Sequence, residues 1–295
     1  MNLSFRKTII KKGGYEMKKI LCEKKLKDFE THLLFEEKSA KTVEKYMRDL
    51  RLFYSCMKGK EITKKDVLEY KSSLLSKYAV TSANSMLAAV NAYLRFCGCH
   101  ALCVKQYKIQ KSAFCTEEKE LTRAEYYRLI SAAQRAGNER LNLIIQTICG
   151  SGIRVSELEY ITVEAVKRGE AFVSCKGKNR RVFIVTELRN KLLKYIKLKK
   201  IQTGAVFVTK NGKPVSRHNI WRDMKALCKD AGVLPSKVFP HNLRHLFART
   251  FYGIEKDIAK LADILGHTSI NTTRIYITTT GVEHKRKMES MRLIM

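Results

Sequence analysis

Apolar residues in the first hundred positions recur at helical rather than alternating spacing. Ile20, Leu26, Phe29 and Leu33 mark one amphipathic stretch, and Val43, Tyr46, Leu50, Phe53 and Tyr54 mark a second that Ser39 can cap. Thr63 and Asp66 form a capping-box pair ahead of Val67, Tyr70 and Leu74. Thr81 to Phe96 is a further amphipathic run that stops at Gly98. These elements predict a compact four-helix unit over residues 17–103. Residues 104–115 are polar, basic at their start and aperiodic, which reads as a linker.

The remainder, 116–295, predicts an α-rich α+β domain. Thr122 and Glu125 form a second capping-box pair before Tyr126, Leu129 and Ile130, and a helix from Leu141 to Cys149 should stop at Gly150. The runs AFVSC and RVFIV flank the turn residues KGKN, the pattern of a β-hairpin. A helix at 187–199, a short strand at 205–209, a turn at 211–214 and helices to the C-terminus complete the expectation. The fold class predicted is therefore mainly α, in two domains, with a small β-hairpin sheet in the second.

Composition narrows the class. Over 295 residues, 45% are hydrophobic and only 3 are Pro and 15 Gly, which excludes disordered, collagen-like and low-complexity chains. No apolar run approaches the roughly 18 residues of a membrane span, and residues 1–16 lack the apolar core of a signal peptide. A cytoplasmic protein that does not enter membranes is expected. In that reducing compartment the nine cysteines read as thiols rather than disulfides. Cys97, Cys99, His100 and Cys103 lack the paired C-x2-C spacing of common zinc modules, so no metal or other cofactor is expected.

Charge identifies the partner class. The net charge is +30, with +9 over residues 17–110 and +18 over 111–295, so the excess belongs to both halves. A folded protein that is basic throughout most often neutralises phosphates, with counterion release supplying much of its affinity for nucleic acid.

Four segments carry candidate chemistry: Gly150–Leu158, Cys175–Arg181, His241–His245 and Leu265–Tyr276. Arg154 follows a Gly-Ser-Gly turn at an expected helix start, where backbone N–H groups also favour an anion. Arg244 lies three residues after His241, on the same helix face. Arginine suits phosphate because its planar fork reaches two oxygens and stays charged. His267, just past Gly266, should end a helix with its ring free to donate, and Tyr276 lies nine residues on. The hairpin turn can dip Lys176 or Lys178 toward a groove. Each residue taken alone has an ordinary reading: a solvated Arg or Lys, a Tyr filling a core, a His beginning a helix. Their fixed order and matched local contexts argue for a shared site.

With those segments the chain resembles the tyrosine recombinases, the phage integrase family, in its compact Xer-like form. The boxes stand here as Gly152-Ile153-Arg154-Val155-Ser156-Glu157-Leu158, His241-Asn242-Leu243-Arg244-His245, Leu265-Gly266-His267 with Tyr276, and Lys176-Gly177-Lys178-Asn179-Arg180-Arg181. Cys175 stands where the family usually has Gly before the hairpin lysine, which leaves Lys178 as an alternative to Lys176. The resemblance implies a SAM-like core-binding helical domain, a catalytic domain and a site-specific recombinase or integrase working through a 3′-phosphotyrosyl intermediate, without metal or ATP. It assigns Tyr276 as nucleophile, Arg154 and Arg244 to the non-bridging oxygens, and His267 as a further donor. The resemblance also implies that His241 orients Tyr276 or takes its proton and that Lys176 protonates the leaving oxygen. The implied partner is double-stranded DNA with inverted-repeat core sites, bound by a homotetramer on synapsed DNA and by a protein monomeric when free.

Two rival readings share these residues: a type IB-like topoisomerase that reseals the original strand, and a non-catalytic DNA-binding accessory. Two further expectations concern the ends. Residues 1–16 read as an extension ahead of Met17, outside the resemblance, and Met288, Met291 and Met295 share one face of a tail suited to docking on a neighbouring protomer.

Overall fold

The computed structural model describes residues 21–57, 61–109, 120–175, 178–209, 211–277 and 288–291. The chain divides into two compact units, Met1–Lys111 and Ser112–Met295. Lys176 and Gly177 lie outside the described residues, as do 1–20 and most of the tail, so the readings made on them rest on sequence.

The first unit holds α1 (Glu23–Phe35), α2 (Ala40–Met57), α3 (Lys64–Lys77) and α4 (Val80–Phe96). Thr63 and Asp66 make both bonds of the expected capping box at the start of α3. The predicted stripes turn inward: Leu26, Phe29 and Leu33 from α1 and Val43, Leu50 and Phe53 from α2 pack with Leu87, Val90 and Leu94 of α4. Phe29 meets Tyr93 edge-on, with centroids 5.3 Å apart, and Phe53 meets Tyr70 at 4.8 Å. Each such buried side chain contributes about 1.5–3 kcal/mol. Two asparagines on α4 act as backbone mimics. Asn91 pairs with both the N–H and C=O of Val104, and Asn84 does the same for Tyr107. The Cys97, Cys99 and Cys103 thiols pack at the margin of this core.

The second unit runs α5 (Arg123–Arg135), α6 (Glu139–Ser151), a 3-10 turn (Val155–Tyr160), α7 (Val163–Arg168), β1 (Glu170–Cys175), β2 (Lys178–Phe183) and α8 (Thr186–Leu198). It then continues through α9 (Arg217–Ala226), α10 (Cys228–Ala231), α11 (Pro240–Glu255), α12 (Ile258–Leu265) and α13 (Ile270–Ile277). The capping box at Thr122 and Glu125 is complete. The hairpin strands pair antiparallel, with Phe172 opposite Arg181 and Val173 opposite Arg180. Ala171, Val173 and Val182 face the core while Phe172 and Phe183 face outward.

Two local expectations are corrected. Residues 205–209 form no strand but only isolated bridges, Thr162 to Ala205 and Val208 to Pro214. Pro214 has no N–H to extend a ladder, and burial of Val206 and Phe207 satisfies the apolar pattern without one. The helix expected to stop at Gly150 runs to Ser151, and Gly152 leaves it in the left-handed conformation (φ 64°). Arg154 therefore opens a 3-10 turn rather than an α-helix.

Candidate active site

The site grows from the C-terminal ends of two helices. Gly152 ends α6 at positive φ, and a Cβ there would lie 2.5 Å from the Phe247 ring, so only glycine fits. Gly266 ends α12 at φ 65°, and a Cβ there would lie 2.4 Å from Cδ of Arg180. Helix C-termini leave carbonyls without intrahelical donors and carry the negative end of the macrodipole. Guanidinium groups fill both ends.

Arg244, on α11, is 1% exposed. Its Nη1 donates to the Gly152 carbonyl, and its Nη2 donates to the Leu265 carbonyl at 2.6 Å. Burial and the nearby Arg154 charge lower its pKa to about 10, which still leaves it charged at neutral pH. Arg180, from β2, donates to the Ile264 carbonyl at 2.8 Å. Arg154 reaches the Gly266 carbonyl at 3.4 Å, and its side chain is 36% exposed.

A single carboxylate organises the second and third of these cations. Glu157, 2% exposed, accepts from Nη1 of Arg154 at 2.9 Å, from the Arg154 backbone N–H at 2.9 Å and from Nη2 of Arg180 at 2.5 Å. Burial alone would raise its pKa, but the Arg154 backbone N–H and the two guanidinium charges outweigh that, and the net shift is downward. Three guanidinium groups thus gather around one carboxylate that pairs with two of them, leaving an electropositive cluster in which Arg154 is the most exposed of the three.

The histidines and the tyrosine close the other side. His267 Nε2 lies 3.0 Å from Arg244 Nη2, and its Nδ1 lies 2.8 Å from Thr273 Oγ1. A guanidinium can only donate, so Nε2 accepts and the proton sits on Nδ1, donated to the Thr273 hydroxyl. Both ring nitrogens are engaged, which corrects the expectation of a ring free to donate. The Tyr276 hydroxyl lies 3.5 Å from His241 Nε2. Around its phenol stand three imidazoles: His245 at a centroid distance of 4.2 Å, His267 at 5.2 Å and His241 at 5.4 Å. Burial, and then neighbouring positive charge or imidazole, holds all three below the ordinary histidine value, with His245 and His267 at about 4. The rings are neutral at pH 7.

The fold therefore brings together Arg154, His241, Arg244, His267 and Tyr276 from segments up to 122 residues apart in sequence. Five neighbours escaped the sequence reading as site residues: Glu157, Arg180, His245, Thr273 and Arg217, whose charge acts on His241. Glu157, Arg180 and His245 stand inside the quoted boxes, and Thr273 lies between His267 and Tyr276, so the signal was position without a partner. Among the described residues no cluster of His, Cys, Asp or Glu is arranged to hold a metal ion.

Residues 119–281 match the phage integrase family, and residues 26–97 match the N-terminal SAM-like domain of phage integrases. The tyrosine recombinase XerA of Pyrococcus furiosus is 31% identical over 286 residues, covering 94% of this chain and 96% of the relative. A crystal structure of XerA recombinase covers 92% of this chain and 99% of its own, at 27% identity and a TM-score of 0.53. A lambda integrase tetramer bound to a Holliday junction shares the fold at a TM-score of 0.70 and 18% identity, covering 86% of this chain and 76% of its own. The chain belongs to the phage integrase family and is a tyrosine recombinase with the Xer-type pairing of a helical and a catalytic domain.

Proposed function

We propose that this recombinase cuts and rejoins duplex DNA by transesterification, with Tyr276 as the nucleophile. The observation that supports this best is the approach of the Tyr276 hydroxyl to His241 Nε2, with the His267 ring against the phenol and hydrogen-bonded to Arg244. The phenolic oxygen attacks phosphorus, a P–O(Tyr276) bond forms, and the bond to the 5′-oxygen breaks. The 3′-phosphotyrosyl ester conserves the bond energy, so rejoining needs no ATP, and a 5′-hydroxyl from another duplex can reverse the attack. Arg154 and Arg244 stabilise the charge on the phosphorane oxygens, a role that needs no metal ion.

His241, neutral and 3.5 Å from the hydroxyl, orients Tyr276 or accepts its proton. His267 donates to a non-bridging oxygen through Nε2 once that oxygen has taken the Arg244 N–H. Its proton then moves from Nδ1 to Nε2, and the Thr273 hydroxyl turns to donate to Nδ1, as a hydroxyl can do either. Lys176 supplies the proton to the leaving 5′-oxygen.

In this reading residues 17–103 form the core-binding domain, 104–115 the linker and 116–295 the catalytic domain. The substrate is double-stranded DNA with inverted-repeat core sites, and four copies assemble on two sites from a protein monomeric when free. The lambda integrase tetramer on a Holliday junction supports that assembly. A cytoplasmic location is consistent with there being no helix among the described residues long and apolar enough to cross a membrane.

The test uses a duplex selected by the purified protein from random-sequence DNA, then nicked in its spacer so that cleavage traps the adduct. Wild-type protein should accumulate covalent complex, and Tyr276→Phe should bind with unchanged affinity and trap none. Covalent capture by the Phe variant would place the nucleophile elsewhere.

A further inference from the structure

His245 belongs to none of the roles assigned above. It sits on α11 one turn beyond His241, and the two rings meet edge to face at 4.8 Å. Together they form a corner: His241 reaches the Tyr276 hydroxyl, while His245 lies against the phenol's face at 4.2 Å and an interplanar angle of 29°. Among the described residues none hydrogen-bonds the His245 ring, so its contacts are through its π-face and edge. The tyrosine itself lies in the last turn of a short helix, α13, of eight residues, and is 5% exposed. A helix that short has little rigidity of its own, so the phenol's direction depends on what its ring packs against.

We propose that His245 is a positioning residue whose ring face clamps Tyr276, setting the direction from which its hydroxyl meets the phosphate. This rests on Tyr276 being the nucleophile. Two features of the site support it. The ring is neutral at pH 7, since burial, His241 and Arg244 depress its pKa to about 4, so it lies flat on the phenol without bringing a further cation against Arg244. The clamp also lies on the same helix as Arg244, so the phosphate-holding guanidinium and the surface that aims the nucleophile move as one body.

The inference separates ring stacking from hydrogen bonding and proton transfer. Stacked aromatic pairs and small displacements of a reacting group predict a loss of about 10- to 100-fold when the ring is removed. On the nicked duplex described above, with protein saturating, His245→Ala and His245→Gln should both slow adduct formation by that factor. Their DNA affinity by mobility shift should stay within about twofold of wild type. His245→Phe, which restores an aromatic face but no ring nitrogen, should recover the rate to within about threefold. Recovery by Gln and not Phe would overturn the clamp in favour of a polar role. Wild-type rates in all three variants would overturn it, as would loss of the fold in Ala and Phe alike, which would place His245 in the scaffold. If wild-type protein trapped no adduct, the clamp would fall together with the assignment of Tyr276. Normal wild-type trapping with indifferent His245 variants sinks the clamp alone.

Discussion

Glu157→Gln removes one negative charge from between two arginines while keeping the side chain's volume. The carboxylate is 2% exposed and takes three hydrogen bonds, one from the Arg154 backbone and one from each of the Arg154 and Arg180 guanidinium groups. Two unit charges about 4 Å apart attract by about 4 kcal/mol at an effective dielectric near 20, and breaking a buried pair costs about 3–5 kcal/mol. The Arg180 side chain is 11% exposed and stands at the full figure. The Arg154 side chain is 36% exposed, so water takes up most of its share. The amide retains one acceptor but turns an N–H₂ toward a guanidinium. A net loss of about 3 kcal/mol follows, which for a unit of this size lowers the melting temperature by about 6–12 °C. Because Arg154 then loses its anchor, cleavage of the nicked duplex should fall about 100-fold, the usual cost of a misplaced charge-stabilising donor. Thermal denaturation by circular dichroism and single-turnover trapping measure the two effects on one preparation. A variant that melts within about 2 °C of wild type and cleaves within threefold of it would refute the view that Glu157 holds the arginines in place.

Two further outcomes follow from the same geometry. Gly266→Ala forces a side chain into the left-handed region and its Cβ to 2.4 Å from Arg180 Cδ; a loss of about 1–3 kcal/mol and slower cleavage are expected, and unchanged melting would contradict it. The histidine shifts predict acid lability. His245 binds its proton near pH 4 when folded and near 6.5 when unfolded, so between those values the unfolded chain holds more protons and stability falls as pH falls. His245 alone contributes up to about 3 kcal/mol of that loss, with a smaller share from the more exposed His267. Urea titrations from pH 7 to about 4 should therefore show a shallower decline for His245→Phe than for wild type, and parallel curves would refute the assignment.

Much of this protein was legible along the chain because much of it is local. The capping boxes at Thr63–Asp66 and Thr122–Glu125 form between residues three apart, and the stripes on α1 and α2 need only the helical repeat to define an inner face. The hairpin follows from two β-rich runs around a turn. The residues that the site brings together were likewise visible, each in a short segment of fixed order.

What depends on distant neighbours was not legible. Whether 205–209 pairs as a strand is decided by Pro214 and by the burial of Val206 and Phe207. Arg154 begins a 3-10 turn because α6 packs through Ser151 and Gly152 accommodates Phe247. That Arg244 supplies donors to the ends of two helices, that His267 answers to Arg244 and Thr273, and that Arg180 rather than Arg181 turns in to Glu157 are all products of tertiary packing. Hydrogen bonds within one turn of helix are set by backbone geometry that the adjacent residues already specify. A contact between residues 23 or 112 positions apart exists only once α11, α12 and the hairpin have packed, and the burial that drives that packing carries no direction of its own.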